Sequence, residues 1–183
     1  MRILFGSSGW PCGLHEIGSY LVRLGLAEVS IRPLGERFTQ QLTIFRPHVV
    51  GLRLEGGQFE TVCNQIRSIR QTIETTIILG GPTATSHPIE VLEQTGADYV
   101  FAGDAEQSLA LLIESARKHN SSHVLPEIPG LAYFWGGKAL VNLPQENLVT
   151  GTPVPSIDET TLRENRLNWS LLQDFDQHPP FDS

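Results

Sequence analysis

The chain has 183 residues, of which 13 are basic and 20 acidic, for a formal charge of −7. At roughly 150 residues per domain this is one domain with some additional chain, large enough to fold without disulfides or metals. The acidic balance argues against a nucleic-acid surface, which needs a basic patch.

Apolar residues make up 40% and charged residues 18%, as in an ordinary globular protein. Apolar runs reach only about five or six residues, against the roughly 20 of a membrane helix. The start, MRILFGSSG, is too short an apolar run for a secretory leader and reads as a first strand. Cys12 and Cys63 lie far apart, which excludes a zinc or iron–sulfur site built from this chain alone. Two free thiols suit a reducing compartment, so a cytoplasmic protein with neither membrane nor nucleic-acid partner is expected.

In chain order, short apolar runs alternate with helical stripes. Ile3-Leu4-Phe5 gives the first strand, and Ile17, Tyr20, Leu21 and Leu24 stripe the first helix. Val29–Ile31 is a weak second strand; Phe38, Leu42 and Phe45 mark a helix that stops before Pro47. Val49–Leu52 is the third strand, and Phe59, Val62, Cys63, Ile66, Ile69 and Ile73 form the best helical stripe. Thr76–Leu79 is the fourth strand, ending in Gly80-Gly81-Pro82, and a short helix begins at Pro88. Tyr99–Phe101 is the fifth strand, and Leu109, Leu112, Ile113 and Ala116 stripe the last helix.

Strands alternating with helices imply an α/β fold with a five-stranded parallel sheet covered on both faces. The expected order is the flavodoxin-like (Rossmann-like) 2-1-3-4-5, with a ligand crevice beyond the carboxyl ends of strands one and three. Residues 128–143 read as a C-terminal β-hairpin around Gly136-Gly137. The domain is set at 1–143, and 144–183, polar and punctuated by prolines, as a linker or extended tail.

Four loops leave the strand ends rich in glycine: Gly6-Ser7-Ser8-Gly9, Glu55-Gly56-Gly57, Gly80-Gly81-Pro82-Thr83 and Gly103-Asp104-Ala105. Glycine lets a ligand approach main chain closely, and it also simply makes turns. A phosphoacceptor receiver site fails, because Ser7-Ser8 and Leu54-Glu55 stand where its acidic residues belong. No G-x-G-x-x-G fingerprint and no P-loop occurs. A non-enzymatic FMN- or nucleotide-binding module stands as the alternative, with Ser7 and Ser8 leading toward a helix N-terminus.

The runs VVGLRLEGGQFETVCNQIRSIR and IILGGPTATSHPIEVLEQTGADYVFAGDAEQSLALLIE resemble the cobalamin-binding domain that precedes the catalytic barrel of cobalamin-dependent radical SAM enzymes. The matching phrases are Gly80-Gly81-Pro82-Thr83-Ala84-Thr85, Pro88, Gly96-Ala97-Asp98-Tyr99-Val100, Gly103-Asp104-Ala105-Glu106 and Ile128-Pro129-Gly130-Leu131-Ala132-Tyr133. They span roughly residues 1–145. The resemblance implies a module that holds cobalamin without catalysing. Its cofactor site would be formed by Ser7, Ser8 and Trp10, by Leu54, Glu55, Gly56 and Gly57, by Gly80, Gly81, Pro82 and Thr83, and by Gly103, Asp104, Ala105 and Glu106.

The cluster motif C-x-x-x-C-x-x-C is absent from these residues, so the chain is expected to be the N-terminal module of a longer enzyme. S-adenosylmethionine and a [4Fe-4S] cluster would then belong to a barrel following in cis, often a methyltransferase. The Ser-x-Leu that meets the nucleotide tail in other corrinoid proteins is replaced by Arg53 and Glu55 in the matching places.

His15 is the candidate cobalt ligand. Gly13-Leu14-His15-Glu16-Ile17-Gly18 keeps the His and Gly of the corrinoid pattern D-x-H-x-x-G but has Gly13 for the Asp that would orient the imidazole. Pro11-x-Gly13-Leu14 equally matches the P-x-G-L start of the radical SAM subclass, in which no protein ligand is expected. Base-off binding without a protein ligand is the expectation. Asp104-x-x-Gln107 reads as a capping box. Thr83 and Thr85 could face the ligand or brace their loop, Trp10 could cover the ring or pack in its loop, and His48, His87, His119, His123 and His178 read as surface.

Overall fold

The computed structural model describes residues 1–9, 11–118 and 124–142. Five parallel strands form the frame: β1 (Arg2–Ser7), β2 (Glu28–Pro33), β3 (Val49–Arg53), β4 (Thr76–Gly80) and β5 (Tyr99–Phe101). They lie in the expected order β2-β1-β3-β4-β5. The first three connections carry helices α1 (Cys12–Arg23), α2 (Glu36–Ile44) and α3 (Phe59–Thr72). The fourth carries α4 (Pro82–Ser86) and α5 (Pro88–Thr95), and α6 (Glu106–Arg117) follows β5.

The strands read as unbroken apolar runs because both faces are covered. Ile3 and Phe5 of β1, with Ile31, Ile78 and Phe101, pack under Leu14 and Leu21 of α1 and Leu109 and Ile113 of α6. Leu4, Val50, Leu52, Ile77 and Leu79 face the other way, under Phe38, Val62, Ile66 and Val91 of α2, α3 and α5. Each large side chain buried this way contributes about 1.5–3 kcal/mol.

Three details differ from the sequence reading. The sheet has seven strands rather than five, because the hairpin β6 (Leu131–Trp135) and β7 (Lys138–Val141) joins it antiparallel, with Tyr99 opposite Tyr133. Leu131, Ala132 and Tyr133 are all buried, so these residues need cover on both faces and find it only inside the sheet. The turn is as expected, with Gly136 at φ 57° and Gly137 at φ 78°, the two positive values of a type I′ hairpin. Second, the Gly80–Thr83 loop is shorter than it reads: Pro82 starts the one-turn α4, and the Thr85 N–H donates to the Gly81 carbonyl at 2.9 Å. Third, Ala116 is exposed and Ser115 is buried in its place, its hydroxyl donating to the Leu112 carbonyl at 2.8 Å.

Residue 143 and the tail 144–183 lie outside the described residues. Among those described, no helix is long and apolar enough to cross a membrane.

Candidate functional site

The carboxyl ends of β1, β3, β4 and β5 share one rim. Their loops are tied to each other in spatial order. From the first loop, the Ser8 hydroxyl donates to Gln58 Oε1 at 2.8 Å in the third. The Leu54 N–H donates to the Gly80 carbonyl at 2.8 Å, and the Leu54 carbonyl accepts from the Thr83 N–H at 3.3 Å, joining the third loop to the fourth. The Gly103 N–H then donates to Thr85 Oγ1 at 3.0 Å, joining the fourth to the fifth. All four predicted loops are therefore brought together, and Thr85 serves as a brace between two of them.

The residues within the rim differ in what they present. Ser7 is buried, with its Oγ accepting from the Gly9 N–H at 3.3 Å, whereas Ser8 is exposed. Leu54 is fully buried and holds the loop from below. Glu55 pairs with Arg53, Oε1 to Nε 2.8 Å, so the two residues at the places of the missing Ser-x-Leu satisfy each other. Gly56 and Gly57 are exposed, and Gly57 turns at φ 78°. Gly81 stands at φ 108°, where a Cβ would lie 2.8 Å from the Leu54 carbonyl oxygen. Gly80 has open space where its Cβ would be. Trp10 lies outside the described residues.

Beneath the rim is an apolar slot between the sheet and the helices α1 and α6. Its floor is Phe5, Gly51, Ile78 and Phe101, its upper edge Gly80, and its roof Leu14, Ile17, Ala105 and Leu109. Free room amounts to about 30 Å³, and to about 270 Å³ with the open mouth included. Gly51 is necessary to it: the residue lies inside β3, and a Cβ there would overlap the Phe5 ring. The slot-lining apolar residues were legible in the sequence only as core stripes, because nothing in a periodic pattern distinguishes a wall with room beside it from one without.

α1 forms one wall of this site. Its N-cap is Pro11, without a side-chain cap hydrogen bond, and Gly13 sits in its first turn. His15 follows in the same helix and is buried, only 3% exposed, with its backbone N–H donating to the Pro11 carbonyl at 2.8 Å. Among the described residues no group of three or more His, Cys, Asp or Glu side chains could hold a metal ion.

α6 begins one residue later than the Asp104-x-x-Gln107 pattern implies. Its N-cap is Ala105, one residue beyond Asp104, and no side chain of the cap residue bonds the helix start. The shift makes Glu106 the first helical residue and buries it to 4% exposure. Burial first, then the charges of Asp104 and Glu16, push its carboxyl up to about 7 against the pull of its own backbone hydrogen bond. His48 and His87 are exposed, as expected.

No family model matches the chain, and no curated protein matches it. Solved structures do. The radical S-adenosylmethionine methyltransferase TsrM from Kitasatospora setae, with tryptophan substrate and a SAM analogue bound, superposes with a TM-score of 0.66 at 19% identity. That match covers 76% of this chain and 29% of TsrM. TsrM with cobalamin and a [4Fe-4S] cluster bound gives the same TM-score and identity, over 76% of this chain and 30% of TsrM. The cobalamin-dependent S-adenosylmethionine radical enzyme OxsB superposes with a TM-score of 0.64 at 18% identity, over 77% of this chain and 22% of OxsB. The chain thus spans less than a third of these proteins, and at such identities the likeness is one of fold.

Proposed function

We propose that this chain is a cobalamin-binding module whose corrin rests on the glycine-rich rim while the nucleotide tail enters the slot below. The observation that carries the reading is the slot itself. It is an apolar cleft at the strand ends, opened by a glycine inside β3, edged by Gly80 and roofed by two helices. A flat aromatic base suits such walls, and the wide corrin suits main chain without side chains in the way. With about 30 Å³ free, the slot holds little more than water as it stands, so seating the base requires the roof to give. α1 supplies Leu14 of its first turn and Ile17 of its second to that roof, behind a Pro11 N-cap that makes no side-chain bond.

Cobalamin would supply a cobalt centre able to carry a methyl group. The residues proposed to hold it are Ser7, Ser8 and Trp10, Leu54 to Gly57, Gly80 to Thr83 and Gly103 to Glu106. The likeness to cobalamin-dependent radical SAM proteins, of which this chain spans a fraction, supports placing the module beside a barrel in the same polypeptide. S-adenosylmethionine and the cluster would belong to that barrel. The FMN alternative finds less support, since Pro11 at the start of α1 removes a backbone N–H that a phosphate would need.

The test is retention. The isolated protein should carry hydroxocobalamin through gel filtration, with no competition from FMN; a folded protein that releases it all overturns the reading. A second measurement addresses the lower face of the cobalt. The burial of His15 supports base-off binding without a protein ligand. Electron paramagnetic resonance of the cob(II)alamin complex should then lack nitrogen triplets. Triplets that vanish in His15→Ala would make His15 the ligand instead.

A further inference from the structure

Glu106 is a buried carboxyl without a complete set of partners. It is 4% exposed, and among the described residues its Oε2 has no hydrogen-bond partner. Unpaired polar atoms in an interior are costly and rare, and one at a strand-end rim invites a ligand atom. Cα–Cβ bonds in a helix tilt toward the N-terminus, so a side chain on the first residue of α6 leans back toward the Gly103–Ala105 loop. Ala105, immediately before it, lines the slot.

The charges that act on it are Asp104, in the loop before α6, and Glu16, across on α1, both negative. A helix N-terminus ordinarily favours an ionised carboxylate. Here burial and the two neighbouring carboxylates outweigh it and raise the carboxyl to about 7. A protonated carboxyl has an O–H to donate. A neutral carboxylic acid is suited to a neutral acceptor such as an amide carbonyl.

We infer that Glu106 is a ligand-binding residue that acts as a neutral carboxylic acid, donating a hydrogen bond to an amide carbonyl on the edge of the bound corrin. This rests on the reading of the site as a corrinoid site and adds to it a consequence: binding is linked to the uptake of one proton. The affinity is highest with Glu106 protonated and falls as pH rises through the region around 7.

The experiment is a titration with cyanocobalamin, whose own ligands do not titrate in the range, at pH 6 and pH 8. For the wild-type chain, the affinity should be roughly tenfold weaker at pH 8 than at pH 6. Glu106→Gln keeps a neutral donor and should bind equally at both pH values, close to the wild-type affinity at pH 6. Glu106→Ala, with no donor, should bind more weakly than wild type at pH 6 and show no pH dependence. Wild-type affinity that is flat in pH, or Glu106→Ala equal to wild type at pH 6, overturns the inference while leaving the corrinoid site standing. Dicyanocobinamide keeps the ring amides and lacks the phosphate-linked tail, so it should show the same pH dependence; a flat or undetectable affinity for it overturns the assignment to a ring amide. No binding of cyanocobalamin by any variant at either pH overturns the corrinoid reading and this inference with it.

Discussion

Phe5 and Gly51 stand opposite each other on the paired strands β1 and β3, and the Phe5 ring occupies the space a Cβ on Gly51 would need. The ring therefore lies across β3 and forms the floor of the slot. Gly51→Ala should force the ring off its rotamer or shift the strand, at about 1–3 kcal/mol. Urea unfolding measures that loss, and cobalamin retention by the folded variant should fall as the displaced ring fills the slot. Unchanged stability would mean the two strands have slack that the packing does not suggest.

The paired glycines at the end of β4 allow a cleaner test of the rim. Gly81 sits at φ 108° against the Leu54 carbonyl, so Gly81→Val would strain the backbone wherever the ligand lies. Gly80 has open space at its Cβ position and lines the slot. Gly80→Val should fold with a melting temperature near that of wild type and bind cobalamin more weakly. Full binding by folded Gly80→Val would remove the edge of β4 from the proposed site.

Asp98, part of the Gly-Ala-Asp-Tyr-Val phrase, works at the opposite end of the sheet. Its Oδ2 accepts from the Ile77 N–H and from Arg70 Nη2, each at 2.7 Å, fixing the start of β5 to β4 and α3. Asp98→Ala leaves the Ile77 N–H without this acceptor and should cost about 1–3 kcal/mol in urea unfolding. Because it lies far from the strand-end rim, the folded variant should bind cobalamin as wild type does. A loss of affinity at unchanged stability would be inconsistent with this placement.

The raised carboxyl of Glu106 also sets a sign for stability. The folded state holds its proton more tightly than the unfolded chain does, with the carboxyl at about 7 against an ordinary 4.5. Its contribution is thus most favourable below pH 4.5, declines as pH rises to about 7 and levels off above. Glu106→Gln escapes this decline. It should match wild type near pH 4.5 and be the more stable protein at pH 8, by on the order of 3 kcal/mol at most. Denaturation at the two pH values checks it; equal differences at both would show that the carboxyl does not change its protonation on folding.

The strands, their parallel order and the loops at their ends were written in the sequence by itself. The alternation of short apolar runs with stripes such as Phe59 to Ile73 is a local consequence of burial on two faces, and Gly136-Gly137 encodes a hairpin turn in two residues. Tertiary structure decided the rest. That β6 joins β5 follows from cover available only in the assembled sheet, and that α6 begins at Glu106 follows from how the helix docks. The slot is a gap between side chains from four strands and two helices, and no one-dimensional pattern records such a gap. The burial of Glu106 has the same origin: the sequence places it in the loop proposed to meet the cofactor, but only the packing of α1, with Glu16, alongside it encloses the carboxyl.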